Sequence, residues 1–227
     1  ISLHRRIFDG VFKHSGKLRD YDITKKEWVL DYDTVLYLNW EDLYRALDYD
    51  IGQERNFSYK GISSDDLMSH ITQFVSGIWQ IHPFCEGNTR TTAVFTILYL
   101  RNLGFRVNND MFANHSWYFR NALVRANYRN VVKGVDYTPV YPERFFRNLL
   151  LGEQWDLRNR YLHINPSSLS EMGLKDRESF LKLYLSPAIG EGFVRMLHPE
   201  SPRHPRQKYL LTAKGLALSD ELKSKEQ

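Results

Sequence analysis

Within nine positions, the string HPFCEGNTR brings together an imidazole (His82), a carboxylate (Glu86), a Gly-Asn pair (Gly87, Asn88) and a guanidinium (Arg90). An imidazole accepts a proton from an incoming hydroxyl near neutral pH. A carboxylate holds Mg²⁺, which takes one or two such groups and completes its shell with substrate phosphates. Gly87-Asn88 stand just ahead of an apolar run. If that run is a helix, its unpaired amides and positive dipole end point at the loop, where phosphate binds and consecutive amides form an anion nest. Arg90, one turn in, adds a bidentate charge-assisted contact. Base, metal carboxylate, amide cradle and arginine are the parts that phosphoryl or nucleotidyl transfer needs, because that chemistry is largely positioning and charge neutralisation. Taken singly, each residue has a plainer reading: a structural histidine, a dipole partner, a turn, a surface charge. The joint spacing is what points to a site.

Elements on both sides must hold these groups. Upstream, SSDDLMSHITQFVSGIWQIH begins with a cap at Ser63 or Ser64 and acids in the first turn. Ile71, Phe74, Val75, Ile78 and Trp79 then recur on one helical face. Downstream, TTAVFTILYLRNLGF is apolar nearly all round, as in a helix at the centre of a bundle, with Gly104 as its stop. A first helix is expected to end near Gly16, another runs through Phe119, Ala122, Leu123 and Ala126, and YPERFFRNLLL gives a further one with Pro142 in its first turn. Between residues 22 and 38, Trp28-Val29-Leu30 and Thr34-Val35-Leu36-Tyr37 flank a polar Asp31-Tyr32-Asp33, which predicts a hairpin. RYLHINPSSLS reads as a joint between two domains.

The composition is that of a globular protein: 227 residues, 42% hydrophobic, 26% charged, net charge +4. That charge permits an acidic partner without demanding one. The single cysteine, Cys85, rules out an internal disulfide and favours a reducing, cytoplasmic compartment. No apolar stretch approaches the roughly 20 residues that cross a bilayer, and no signal peptide is visible, so no membrane partner is expected. The chain opens on Ile1 rather than Met, so a segment ahead of it is expected.

HPFCEGNTR resembles the Fic motif, H-x-F-x-[D/E]-G-N-G-R followed by a helix, at His82, Phe84, Glu86, Gly87, Asn88 and Arg90. The resemblance implies a mainly α fold: a Fic-type helical bundle over residues 1–160 with a β-hairpin flap at about 22–38. It also implies transfer of AMP from ATP, with Mg²⁺, to a Ser, Thr or Tyr hydroxyl of a target protein held at the flap. His82 would be the general base, Phe84 a core anchor, Glu86 the Mg²⁺ ligand, and Gly87, Asn88, position 89 and Arg90 the nucleotide-binding set. Two positions depart from the pattern: Thr89 replaces the second glycine, and Ala93 the second arginine. The related Doc toxins also lack that glycine and transfer the terminal phosphate, so phosphotransfer stays open beside AMP transfer. A regulator with a degenerate Fic domain is the third reading. The family's inhibitory pattern, [S/T]-x-x-x-E-[G/N], breaks at Met172 after Ser167 to Glu171, which leaves room for an inhibitory helix, if there is one, before Ile1.

Residues 166–227 resemble the small winged-helix α+β segment that follows many Fic domains, with a wing ending QKYLLTAKG. Arg195, Arg203, His204, Arg206 and Lys208 would give that wing a positive face suited to DNA phosphates. The expected recognition helix carries Lys175, Asp176, Arg177, Glu178 and Lys182, a mixed set poorly suited to reading bases. A homodimer is expected from the resemblance alone.

Overall fold

The protein is described from a computed structural model, in which residues 1–164, 185–201 and 207–225 are described. The chain divides into two compact units, Ile1–Pro166 and Ser167–Gln227.

The first unit is built from helices α1 (Ser2–Phe8), α2 (Leu43–Asn56), α3 (Ser64–Ile81), α4 (Asn88–Asn102), α5 (Asp110–Asn114), α6 (Ser116–Ala126) and α7 (Val140–Leu151). α3 is the hub and packs against α2, α4, α6 and α7. Its start is fixed by Ser63, whose Oγ accepts from the Asp66 amide at 3.1 Å. Met68, Ile71, Val75 and Trp79 bury the face that the sequence periodicity marks, against Phe119, Leu123, Phe145 and Phe146. A smaller cluster joins Leu43 of α2 to Ile78 and Ile81 of α3. On the far side, Glu54 of α2 accepts from Tyr59, Tyr99 and His70, the last at 2.8 Å, which ties α2, α3 and α4 together.

Three expectations need correction. α4 is not the buried centre: it buries Asn88, Thr92, Thr96, Ile97 and Leu100, while Leu98 is half exposed. Its threonines do much of the inward packing, and Thr96 Oγ1 donates back to Thr92 O at 2.7 Å. α1 stops at Phe8, well short of Gly16. Residues 22–38 form no strand pair. Trp28–Leu30 is a single 3₁₀ turn, and one bridge joins Glu27 to Asp33. Asp31 and Tyr32 both take positive φ, 55° and 61°. A strand would alternate its faces, but the adjacent Val29 and Leu30 are both buried, because this loop caps the core rather than extending from it. Side chains replace the ladder: Asp33 accepts from Tyr128 at 2.7 Å and from Asn130 at 3.1 Å.

In the second unit, α8 (Ser186–Gly190) precedes β1 (Val194–Met196), which pairs antiparallel with β2 (Tyr209–Leu211) so that Arg195 faces Leu210. α9 (Ala213–Lys225) follows, a helix the sequence reading omits. Thr212 starts it, with Oγ1 accepting from the Gly215 amide at 3.2 Å. The expected recognition helix and the wing residues 203–206 lie outside the described residues. Among the described residues, no helix is long and apolar enough to cross a membrane.

Leu123 is fully buried at the centre of α6. Leu123→Ala should therefore cost about 2–5 kcal/mol in urea unfolding; a loss below about 1 kcal/mol would show that this core is not packed as described.

Candidate active-site cleft

The loop between α3 and α4 carries the candidate residues, and its conformation starts at His82. This residue ends α3 in the left-handed region, at φ 50° and ψ 56°. Few side chains accept that conformation, histidine among them more often than most. It is held there by Arg19, whose buried guanidinium donates to His82 O at 2.8 Å and to Leu38 O, and whose amide donates to Pro83 O at 2.9 Å. The chain then turns outward instead of continuing the helix.

α1 supports the next four residues. His4 is fully buried and stacks on Phe84 at 3.8 Å between ring centroids. The Gly16 amide donates to its Nδ1 at 2.9 Å, so Nε2 carries the proton and donates to Glu86 O at 3.0 Å. Burial lowers the His4 pKa and keeps that tautomer neutral. Gly87 takes φ 78°, and a Cβ there would lie 2.4 Å from the Phe8 ring, so only glycine fits. Asn88 turns its side chain inward: Oδ1 accepts from the Phe84 amide at 2.9 Å and Nδ2 donates to Phe84 O at 2.6 Å. Its side chain is thus committed to the loop, and what it offers outward is its backbone amide. The first bond of the α4 ladder is Thr91 N–H to Gly87 O at 2.9 Å, so the amides of Asn88, Thr89 and Arg90 lie ahead of the ladder.

These residues open onto one cleft of about 480 Å³, lined by His82, Glu86, Gly87, Asn88, Thr89 and Arg90 together with Trp79, Lys25, Ser116, Trp117 and Arg120. The structure thus brings five polar positions singled out in the sequence, with Gly87, to the lining of one cleft, while Phe84 is buried. Glu86 is exposed to solvent. Arg90 lies over the Phe8 ring at 4.7 Å. Thr89 accepts a hydrogen bond at 2.9 Å from the indole of buried Trp79, which fixes its side chain in the cradle. Ala93 packs against the core.

His82 is 3% exposed. Its Nδ1 lies 3.3 Å from Trp79 O, a carbonyl that can only accept, so the ring proton sits on Nδ1. Nε2 is buried and has no hydrogen-bond partner. The Tyr37 ring covers the imidazole at 4.0 Å. Burial, then the positive charge of Lys25, and more weakly those of Arg19 and Arg120, push the His82 pKa down to about 3, against the opposing bond to Trp79 O. The imidazole is neutral at pH 7 with an unspent lone pair. Sequence reasoning missed Arg19, Tyr37, Trp79, Lys25, Trp117 and Arg120 as parts of this site. Only Trp79 carried a signal there, as a core position three residues before His82.

Residues 1–100 match the Fic/DOC family, and residues 165–212 match the C-terminal domain of Fic-like (filamentation induced by cAMP) proteins. Over 167 residues the chain is 23% identical to the protein adenylyltransferase VbhT of Bartonella schoenbuchensis, covering 67% of this chain and 34% of that protein. The chain therefore spans about a third of the length of that relative. A crystal structure of a Fic family protein from Desulfovibrio desulfuricans G20 superposes with a TM-score of 0.45 at 18% identity, over 93% of this chain and 67% of that one.

A histidine whose folded pKa lies below its ordinary 6.5 contributes stability that is fully present above that pH and is lost as pH falls towards 3. The unfolding free energy of the wild type minus that of His82→Gln should accordingly shrink below pH 6.5, with a limiting slope of about 1.4 kcal/mol per pH unit. Parallel profiles for the two proteins would show that His82 titrates normally in the fold.

Proposed function

Residues 1–100 of this chain belong to the Fic/DOC family and residues 165–212 to the Fic-like C-terminal domain, and on that premise we propose that the protein transfers AMP from ATP to a Ser, Thr or Tyr hydroxyl of a target protein. The observation that carries the reading is the buried, unpartnered Nε2 of His82, a residue that lines the same cleft as Glu86 and the residues at the head of α4.

The phosphates of ATP rest on the amides of Asn88, Thr89 and Arg90, with the Arg90 guanidinium beside them. Among the described residues no group of three or more His, Cys, Asp or Glu could hold a metal ion by itself. Glu86, an exposed carboxylate lining the cleft, would hold Mg²⁺ together with substrate phosphates. When bound, the metal would neutralise charge that builds on the leaving phosphates. The acceptor hydroxyl gives its proton to His82 Nε2 as its oxygen bonds to the α-phosphorus. The bond from that phosphorus to the bridging oxygen breaks, and pyrophosphate leaves with the electron pair. His82 then returns the proton to solvent. Phosphate charge entering the cleft raises the depressed pKa of His82 towards the range where it is an effective base. Tyr37, from the 22–38 loop, packs on the imidazole ring, and in this reading that loop binds the target segment.

A second reading, transfer of the γ-phosphate, is favoured by Thr89, whose side chain stands in the cradle, fixed by Trp79. One labelling experiment separates the two. With α-labelled ATP and a bacterial lysate, a protein band should be labelled, and His82→Ala should lower labelling by about 10²–10⁴-fold. Label from γ- but not α-labelled ATP would establish phosphotransfer instead, and labelling that persists in His82→Ala would remove His82 from the mechanism.

A further inference from the structure

Two cations reach the cleft from elements that no motif connects. Lys25 lies on the loop after α1, and Arg120 lies on α6. With Arg90 they make three positive side chains against one carboxylate, Glu86, among the cleft-lining residues. The arrangement is built rather than incidental. Arg120 is clamped by Glu27, with Nη1 at 2.7 Å from one carboxylate oxygen and Nη2 at 2.9 Å from the other. The Glu27 side chain is 2% exposed, while that of Arg120 keeps 29% of its surface open. Tyr37 Oη donates to the same Glu27 carboxylate at 3.4 Å. Glu27 is therefore spent on holding Arg120 and the loop, while Lys25 forms no salt bridge among the described residues and stands close enough to His82 for its charge to lower the imidazole pKa. Glu27 offsets the Arg120 charge, so the cleft keeps the charges of Lys25 and Arg90 and the partly exposed Arg120 fork, donors that suit an occupant with more than a single phosphate.

We propose that Lys25 and Arg120 form a second cationic pole of the cleft lined by the head of α4, which binds the polyphosphate chain and makes the site prefer a nucleoside triphosphate to a monophosphate. Glu27 is the positioning residue: it fixes the Arg120 fork and, two residues from Lys25, sets where that ammonium stands. This deepens the nucleotide-transfer reading and rests on it.

The test is calorimetric titration with ATP and with AMP, each with MgCl₂, in a His82→Ala background that stops turnover. Lys25→Met should weaken ATP binding by about tenfold or more and AMP binding by less than about threefold. Because Arg120→Met alone would strand the buried Glu27 carboxylate, it is paired with Glu27→Gln, and the double variant should show the same selective loss. Glu27→Gln alone should lower the ATP-to-AMP preference without abolishing binding, a change that general loosening of the fold would not produce. Equal losses for both nucleotides, or none, would overturn the second pole while leaving nucleotide binding intact. If the parent protein binds neither nucleotide, this inference and the reading beneath it both fall.

Discussion

One backbone reversal governs this molecule: α3 ends on a left-handed histidine, and a buried arginine holds it there. Arg19 donates to the carbonyls of His82, Ile81, Tyr21 and Leu38, so a single guanidinium joins the end of the hub helix to both ends of the loop that covers it. A left-handed histidine costs conformational energy on its own. It persists because its carbonyl, its amide and its ring each have an assigned position: the amide and Nδ1 both meet Trp79 O, at 3.1 and 3.3 Å. What remains of the imidazole is Nε2. Reactivity here is thus a by-product of satisfaction elsewhere, since every other polar atom of His82 is engaged.

The loop that follows divides its labour between side chains and backbone. Asn88 and His4 spend their polar atoms on Phe84 and Glu86 main-chain groups, so the loop is rigid without depending on a ligand. The amides at the head of α4 are left for the cleft. Gly87 makes this economical, since its lack of a Cβ lets the Phe8 ring sit directly against the turn. The Glu27–Arg120 pair, with its carboxylate buried, links the covering loop to α6, and Tyr37 connects that pair to the imidazole. Lys25, the cation with the largest effect on His82, and Tyr37, the ring over it, therefore come from the same loop.

The sequence disclosed the candidate site better than the scaffold around it. His82, Glu86, Gly87, Asn88 and Arg90 are close in the chain, and a helix start is a local event, so their meeting was legible. The faces of α3 and α6 were legible too, because Ile71, Val75, Trp79, Ala122 and Leu123 follow helical spacing. The 22–38 segment was misread because β-branched and aromatic residues that line a core-capping loop look like those of a strand; the unalternated burial of Val29 and Leu30 appears only in three dimensions. α4 misled for a related reason, since an apolar helix can carry part of its apolar surface outward, as Leu98 does. Arg19, Lys25, Glu27 and Arg120 were silent in the sequence because their roles depend on contacts between residues 63 and 93 positions apart, as in Arg19 with His82 and Arg120 with Glu27.

The account stands on the tautomer of one ring, and ¹⁵N NMR of the side chain of His82 reads it directly. At pH 7 without nucleotide, Nδ1 should appear as the protonated nitrogen and Nε2 as the unprotonated one. A ring protonated at Nε2, or at both nitrogens, would mean that no lone pair waits in the cleft, and the proposed base would be lost.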